Sequence, residues 1–146
     1  MLKGKLIHPD ILAALGRAGH SARILIADGN YPFSTTLSPN AELINLNLSP
    51  GLVSCTDALD AILSAVPIEA AHVMQYASEG PYALEQDPEI WQDFRKLLPT
   101  DIKLDRIERF AFYEAASKPD VAITIATGEQ RIYANILLTI GVNFPE

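Results

Sequence analysis

The sequence predicts an α/β fold: a single domain over residues 1–146, built on one mixed β-sheet with helices on both faces. Three observations carry this. Helix-period and strand-length apolar segments alternate along the whole chain, which is the pattern of a layered α/β architecture. The run Val121-Ala122-Ile123-Thr124-Ile125-Ala126 is rich in β-branched residues, which suit a buried pleated surface. The length, 146 residues of which 49% are apolar and 20% charged, suits one compact globule. A domain of this size buries roughly 70% of the surface its unfolded chain exposes. No linker, repeat or low-complexity tract interrupts it.

The elements follow in order. Pro9 opens a helix with Asp10 in its first turn, where a fixed φ and a negative charge both help. Ile11, Leu12, Leu15 and Ala18 keep helical spacing, and Gly19 is placed to cap the end. Ala22 to Ala27 is a strand-length apolar run, broken by the turn residues Asp28-Gly29-Asn30-Tyr31-Pro32. Ala41 to Leu48 is a second candidate strand before the Pro50-Gly51 turn. Ser54-Cys55-Thr56-Asp57 reads as a capping box with Asp in place of Glu, followed by the stripe Leu59, Ile62, Leu63 and Val66 and a stop at Pro67. His72 to Tyr76 is a strand candidate. Asp87 or Pro88 opens a helix that buries Ile90, Trp91, Phe94 and Leu97 and ends at Pro99. A strand over Lys103–Ile107, a short helix over Phe110–Ser117 with Phe110 and Phe112 packed, the Val121–Ala126 strand, the Thr127-Gly128-Glu129 turn and a last apolar segment Ile136–Thr139 complete the chain.

Composition excludes several classes. The net charge of −7 offers no basic footprint for nucleic acid. No run of about 18 apolar residues occurs, and the N-terminus lacks the apolar stretch of a signal peptide, so neither a membrane span nor export is expected. The lone Cys55 cannot form an internal disulfide, which fits a cytoplasmic protein. Its place at a helix start could lower a thiol pKa, but a small buried apolar role is the expectation. No dinucleotide, P-loop or nucleophile-elbow motif appears, and His8, His20 and His72 lack metal-ligand spacing.

Three clusters carry chemistry, each with a plain structural alternative. His20 follows a helix end and Asp28 ends a strand, where ligands gather in open α/β sheets. One strand of roughly 17–20 Å separates them, so they need not touch within one subunit. A histidine there also serves as an ordinary helix cap. In Glu108-Arg109-Phe110-Ala111-Phe112-Tyr113-Glu114, Arg109 and Tyr113 share a helix face, which otherwise reads as a solvated amphipathic edge. Tyr133-Ala134-Asn135 sets a hydroxyl and an amide two residues apart, able to bind a polyhydroxylated ligand or to close a turn. His72 and Trp91 read as structural.

Together the clusters resemble one family, that of the ribose pyranases and fucose mutarotases. Pro9-Asp10-Ile11-Leu12, Gly19-His20, Asp28 and Tyr31-Pro32 resemble its N-terminal signature. Ile107-Glu108-Arg109-Phe110-Ala111-Phe112-Tyr113-Glu114 looks like its fucose branch. Thr127-Gly128-Glu129, Tyr133-Ala134-Asn135-Ile136-Leu137-Leu138 and Gly141-Val142 are similar to its C-terminal block, and Glu69, Val73-Met74 and Glu79-Gly80 fit its middle. The resemblance implies an α/β subunit in a ring-type homo-oligomer, typically a decamer, with sites near subunit contacts and no cofactor or metal. It implies a histidine proton donor at His20, a ligand aspartate at Asp28, and sugar contacts at Tyr133, Ala134 and Asn135. The fucose branch adds Arg109, Tyr113, Glu69 and Met74. The loop Gly29-Asn30-Tyr31 departs from the pattern. Glu69 stands for an aspartate, and Ala134 for a glycine, alanine being more typical of the ribose branch.

The implied reaction opens a cyclic free monosaccharide by removing a proton from the anomeric hydroxyl and adding one to the ring oxygen. Such paired acid–base catalysis contributes about 10²–10⁴-fold, and histidine, with a pKa of about 6.5, suits it. In the expected division of labour His20 moves a proton and Asp28 orients it or the sugar. Tyr113 and Tyr133 serve the opposite oxygen, Arg109 and Asn135 fix hydroxyls, and Met74 walls the C–H face. The competing readings are a pentose pyranase, a non-catalytic sugar-binding accessory of a transport system, and a protein that keeps the fold alone.

Overall fold

The structure, a computed structural model, describes residues 1–146. Its elements are α1 (Pro9–Arg17), β1 (Arg23–Ala27), β2 (Glu42–Asn45), α2 (Cys55–Leu63), β3 (Ile68–Met74), α3 (Glu89–Leu97), β4 (Leu104–Ile107), α4 (Arg109–Ala116), β5 (Val121–Ala126) and β6 (Ile136–Ile140). One six-stranded sheet orders them β2-β5-β1-β6-β3-β4. The pairs β2–β5, β5–β1 and β3–β4 are parallel, and β6 runs antiparallel to both β1 and β3. The sheet is therefore mixed, as expected.

The alternation of side chains along β1 divides the core. Ile24 and Ile26 join a cluster of 24 buried residues with α1, α2 and α3, including Ile11, Leu59, Trp91 and Phe94. Leu25 and Ala27 join a smaller cluster of 10 on the other face, with Phe112, Ala115 and Ala116 of α4. Helices thus cover both faces, three against one.

Local signals act as read from the sequence in most places. Ser54 and Asp57 form a reciprocal capping box. His8 caps α1 by accepting from the Ile11 N–H, with Pro9 in the first turn. Several expectations need correction. Gly19 is not a left-handed cap: Ala18 ends α1 in an extended conformation, and the positive φ falls on Ser21. α2 stops at Leu63, so Val66 packs on the core from outside the helix. β3 begins at Ile68 rather than His72, because a register shift between Ile68 and Ala70 absorbs the break in alternation around Glu69. Leu97 packs on the core only half-buried, and the residue that caps α3, Leu98, is the more deeply buried of the two. Phe110 is 73% exposed, since α4 faces the sheet through Phe112, Ala115 and Ala116.

The antiparallel course of β6 positions the site. Ile136, its first residue, pairs with Ile26 near the carboxyl end of β1 and with Val73 near that of β3. The segment entering β6 therefore reaches the same sheet edge as the segments leaving β1, β3 and β4.

Candidate functional site

A cavity of about 330 Å³ opens at that edge, lined by Asp28, Asn30, Tyr31, Met74, Tyr82, Arg109, Tyr113, Ile132, Tyr133 and Asn135. Six of these ten are expected site residues, and the lining is gathered from the segment after β1, from the end of β3 and the segment after it, from α4 and from the segment entering β6.

Asp28 directly follows β1 and is 3% exposed. Its Oδ1 accepts from the Asn30 N–H at 3.0 Å and its Oδ2 from the Ala134 N–H at 3.2 Å. Burial pushes its carboxyl above the ordinary carboxylate range, outweighing those backbone donors, and the charge of Glu129 acts in the same direction. Asn135 sits against it: the Asn135 Oδ1 accepts from the Asp28 N–H at 2.8 Å. A backbone N–H only donates, so the amide oxygen is fixed toward Asp28 and the NH2 group, with no partner in the chain, is left for the cavity. Asn135 therefore closes no turn on its own backbone; it clamps the end of β1.

Tyr133 has a positive φ of 56°, rare for a side chain with a Cβ. Its hydroxyl donates to the Tyr82 carbonyl at 2.8 Å and accepts from the Ala77 N–H at 3.1 Å. It is a strut between two loops. Tyr113 differs: its hydroxyl has no hydrogen bond within the chain, and its ring lies 5.5 Å from that of Tyr31. Arg109, first residue of α4, is exposed and forms no ion pair; its guanidinium lies 5.9 Å from the Tyr113 ring and 5.7 Å from that of Phe110. Glu108 caps this helix by accepting from the Phe110 and Ala111 N–H groups, which fixes where Arg109 emerges. Met74, at the end of β3, contributes an apolar wall, as do Tyr31 and Ile132. The hydroxyl of Tyr31 is buried without a partner, and burial raises its pKa.

The remaining expected residues lie elsewhere. Ala134 is wholly buried and reaches the site only through its backbone N–H on Asp28. His20 and Glu69 are outside the cavity. His20 precedes β1 and Asp28 follows it, so the strand holds them at opposite sheet edges, as its length requires. The His20 Nε2 lies 3.0 Å from the Glu69 Oε2, with side chains 53% and 44% exposed, so the two expected residues form a pair of their own.

Sequence reasoning missed Asn30, Tyr31, Tyr82 and Ile132 as lining residues. Tyr31 carried a signal, an aromatic in the turn directly after the strand-end aspartate. Tyr82 and Ile132 lie on loops whose course no local pattern specifies. The turn Thr127-Gly128-Glu129 packs against the loop that follows Asp28, the Glu129 carbonyl accepting from the Gly29 N–H at 2.8 Å. An added Cβ at Gly128 would collide with the backbone carbonyls of Ser49 and Leu52. Burial works to raise the Glu129 carboxyl, but the Arg131 guanidinium and backbone N–H outweigh it and hold it below its ordinary value. Cys55 is buried, and burial pushes its thiol up to about 12, so the helix start does not activate it. His72 is half-buried with an unpartnered Nδ1, and burial lowers its pKa. No cluster of three His, Cys, Asp or Glu side chains is placed to hold a metal, and no helix is long and apolar enough to cross a membrane.

Comparison with known proteins places this arrangement. The model of the RbsD / FucU transport protein family matches residues 1–143. The chain is similar to the fucose mutarotase of Mus musculus, with 35% identity over 96% of this chain and 94% of that one. It is also similar to the D-ribose pyranase of Paracidovorax citrulli, with 28% identity over 99% of this chain and 100% of that one. Among solved structures, the fucose mutarotase of Streptococcus pneumoniae in complex with L-fucose superposes with a TM-score of 0.77, at 29% identity over 94% of this chain and 95% of that one.

Proposed function

The chain belongs to the RbsD / FucU family, and from that premise we propose that it is a monosaccharide mutarotase. It interconverts the anomers or ring forms of a free sugar, L-fucose or a close relative, by general acid–base ring opening and closure without a cofactor. The observation that carries this is the cavity at the sheet edge. There a buried carboxyl, an outward-facing amide, an uncommitted tyrosine hydroxyl and an unpaired guanidinium converge against an apolar wall. That set matches a monosaccharide: hydroxyls for the Asn135 amide and Arg109, a C–H face for Met74, and a proton to be moved beside Tyr113. Because Tyr133 has committed its proton to the Tyr82 carbonyl, Tyr113 is the better placed of the two to donate or accept one. Fucose is preferred over ribose because Arg109 and Tyr113 of the Arg109-Phe110-Ala111-Phe112-Tyr113-Glu114 block line the cavity and because the mouse and streptococcal relatives are fucose mutarotases.

In this reading the chain works in the cytoplasm as a homo-oligomer, a ring-type decamer, in which a second copy presents His20 and Glu69 to the cavity. The exposure of the His20–Glu69 pair, its distance from Asp28, and the exposed Tyr82, Phe110 and Ile132 support this.

Saturation-transfer NMR between the anomers of L-fucose, D-ribose, galactose and glucose tests the reaction. Faster exchange of L-fucose, abolished in His20→Ala, is the expected result. Mixing His20→Ala with Asp28→Asn subunits tests the shared site: part of the activity should return, since each supplies what the other lacks. Sugar binding without exchange would instead favour a transport accessory, the role the family's description carries.

A further inference from the structure

We propose that Trp91 is a positioning residue for the mutarotase reaction: its indole N–H, acting through the Tyr133 carbonyl, sets the clamp that Asn135 closes on Asp28. The inference rests on the function proposed above.

Trp91 is wholly buried in α3, and its Nε1–H donates to the Tyr133 carbonyl at 2.9 Å. The next two residues both bind Asp28, Ala134 through its N–H at 3.2 Å and Asn135 through its Oδ1 at 2.8 Å. Three consecutive residues are thus tied down, one to α3 and two to the carboxylate residue of the site. Between these anchors the Tyr133 backbone takes a φ of 56°. A side chain with a Cβ keeps such a conformation only where the surroundings impose it. The carbonyl that Trp91 holds belongs to that strained residue. Releasing it frees the peptide to rotate, and the rotation moves the Ala134 N–H that faces Asp28.

The indole itself is held firmly. The Tyr76 ring lies 5.6 Å from it and 6.2 Å from the Tyr133 ring, and the Arg106 guanidinium lies 5.0 Å from its centroid. A phenylalanine would fill most of this space. Core filling therefore accounts for an aromatic at position 91 but not for the N–H, and the N–H has one partner, in the site.

Trp91 is the only tryptophan in the chain, so a labelled or modified tryptophan reports on this position alone. Protein made with 3-benzothienylalanine in place of tryptophan keeps the bicyclic shape and loses the N–H; Trp91→Phe is the genetic counterpart. Two readouts decide. In the sugar-free protein, the Asn135 side-chain NH2 resonances should shift and broaden in the isostere. The anomer exchange rate should fall at least about fivefold at unchanged fraction folded, the loss expected from one neutral hydrogen bond. A core substitution remote from the site, Ile62→Val, should lower the melting temperature and leave both readouts at wild-type values. Unchanged Asn135 resonances, or a full exchange rate in the isostere, overturn the proposal. If wild type accelerates no sugar, the function proposed above fails, and the Asn135 resonances still decide whether Trp91 sets the clamp.

Discussion

Asn135→Asp tests the electrostatics of the site with almost no change of shape. The new carboxylate keeps the oxygen that accepts from the Asp28 N–H and replaces only the NH2 group. It also places a second carboxyl beside Asp28, where both residues are at least nine-tenths buried. For two carboxylates separated by about 5 Å, in an effective dielectric constant of about 20, the repulsion is about 3 kcal/mol, or about 2 pK units. Burial already holds Asp28 above its ordinary value, so both carboxyls titrate upward in the folded state. The folded protein then binds more protons than the unfolded chain between about pH 4 and the raised folded values, and stability falls as pH rises through that window. The variant should match wild type below about pH 4 and lose about 3 kcal/mol near pH 8. For a chain of this length that is a drop of about 6–12 °C in melting temperature. Urea and thermal unfolding of both proteins at the two pH values measure it. An equal penalty at both would show that lost packing or a lost hydrogen bond, not charge, is responsible, and the electrostatic account of Asp28 would be wrong.

Three further outcomes follow from the geometry. Tyr133→Phe removes the two-sided strut and should cost about 1–2 kcal/mol by chemical denaturation, whereas Tyr113→Phe should change stability by less than about 0.5 kcal/mol yet slow anomer exchange by about 10²-fold or more. Gly128→Ala forces a Cβ into the Ser49 and Leu52 carbonyls and should destabilise by about 2–3 kcal/mol in the same assay. Cys55, its thiol pushed up to about 12 and buried, should resist alkylation near pH 8 and react only at the rate of unfolding.

Element types were largely legible in the sequence because caps, turn residues and apolar periods are local. Ser54 and Asp57 announced α2, and the β-branched run announced β5. The direction of β6 was not legible: Ile136–Thr139 has the same apolar character whether it runs parallel or antiparallel, and pairing decides. Phe110 misled because an aromatic is read as core, while the helix phase turned it outward. At the site, residues at strand ends and helix starts could be named, since their elements fix them. Tyr82 and Ile132 come from loops shaped by distant contacts. Trp91 illustrates a second limit. Its burial was expected, but its hydrogen bond to a residue 42 positions away is a fact of tertiary structure.

The central strand β1 has a consequence for how the chain is made. Both of its neighbours, β5 and β6, lie about a hundred residues downstream. During synthesis from the N-terminus, Ile24 to Ala27 emerge early, apolar on both faces and with two open edges. They have no partner until the last quarter of the chain follows. Such long-range pairing slows folding and exposes strand edges to other chains. A product that stops before residue 121 would carry an unpaired apolar strand and none of the Tyr133–Asn135 clamp, which makes incomplete chains both inactive and prone to aggregate.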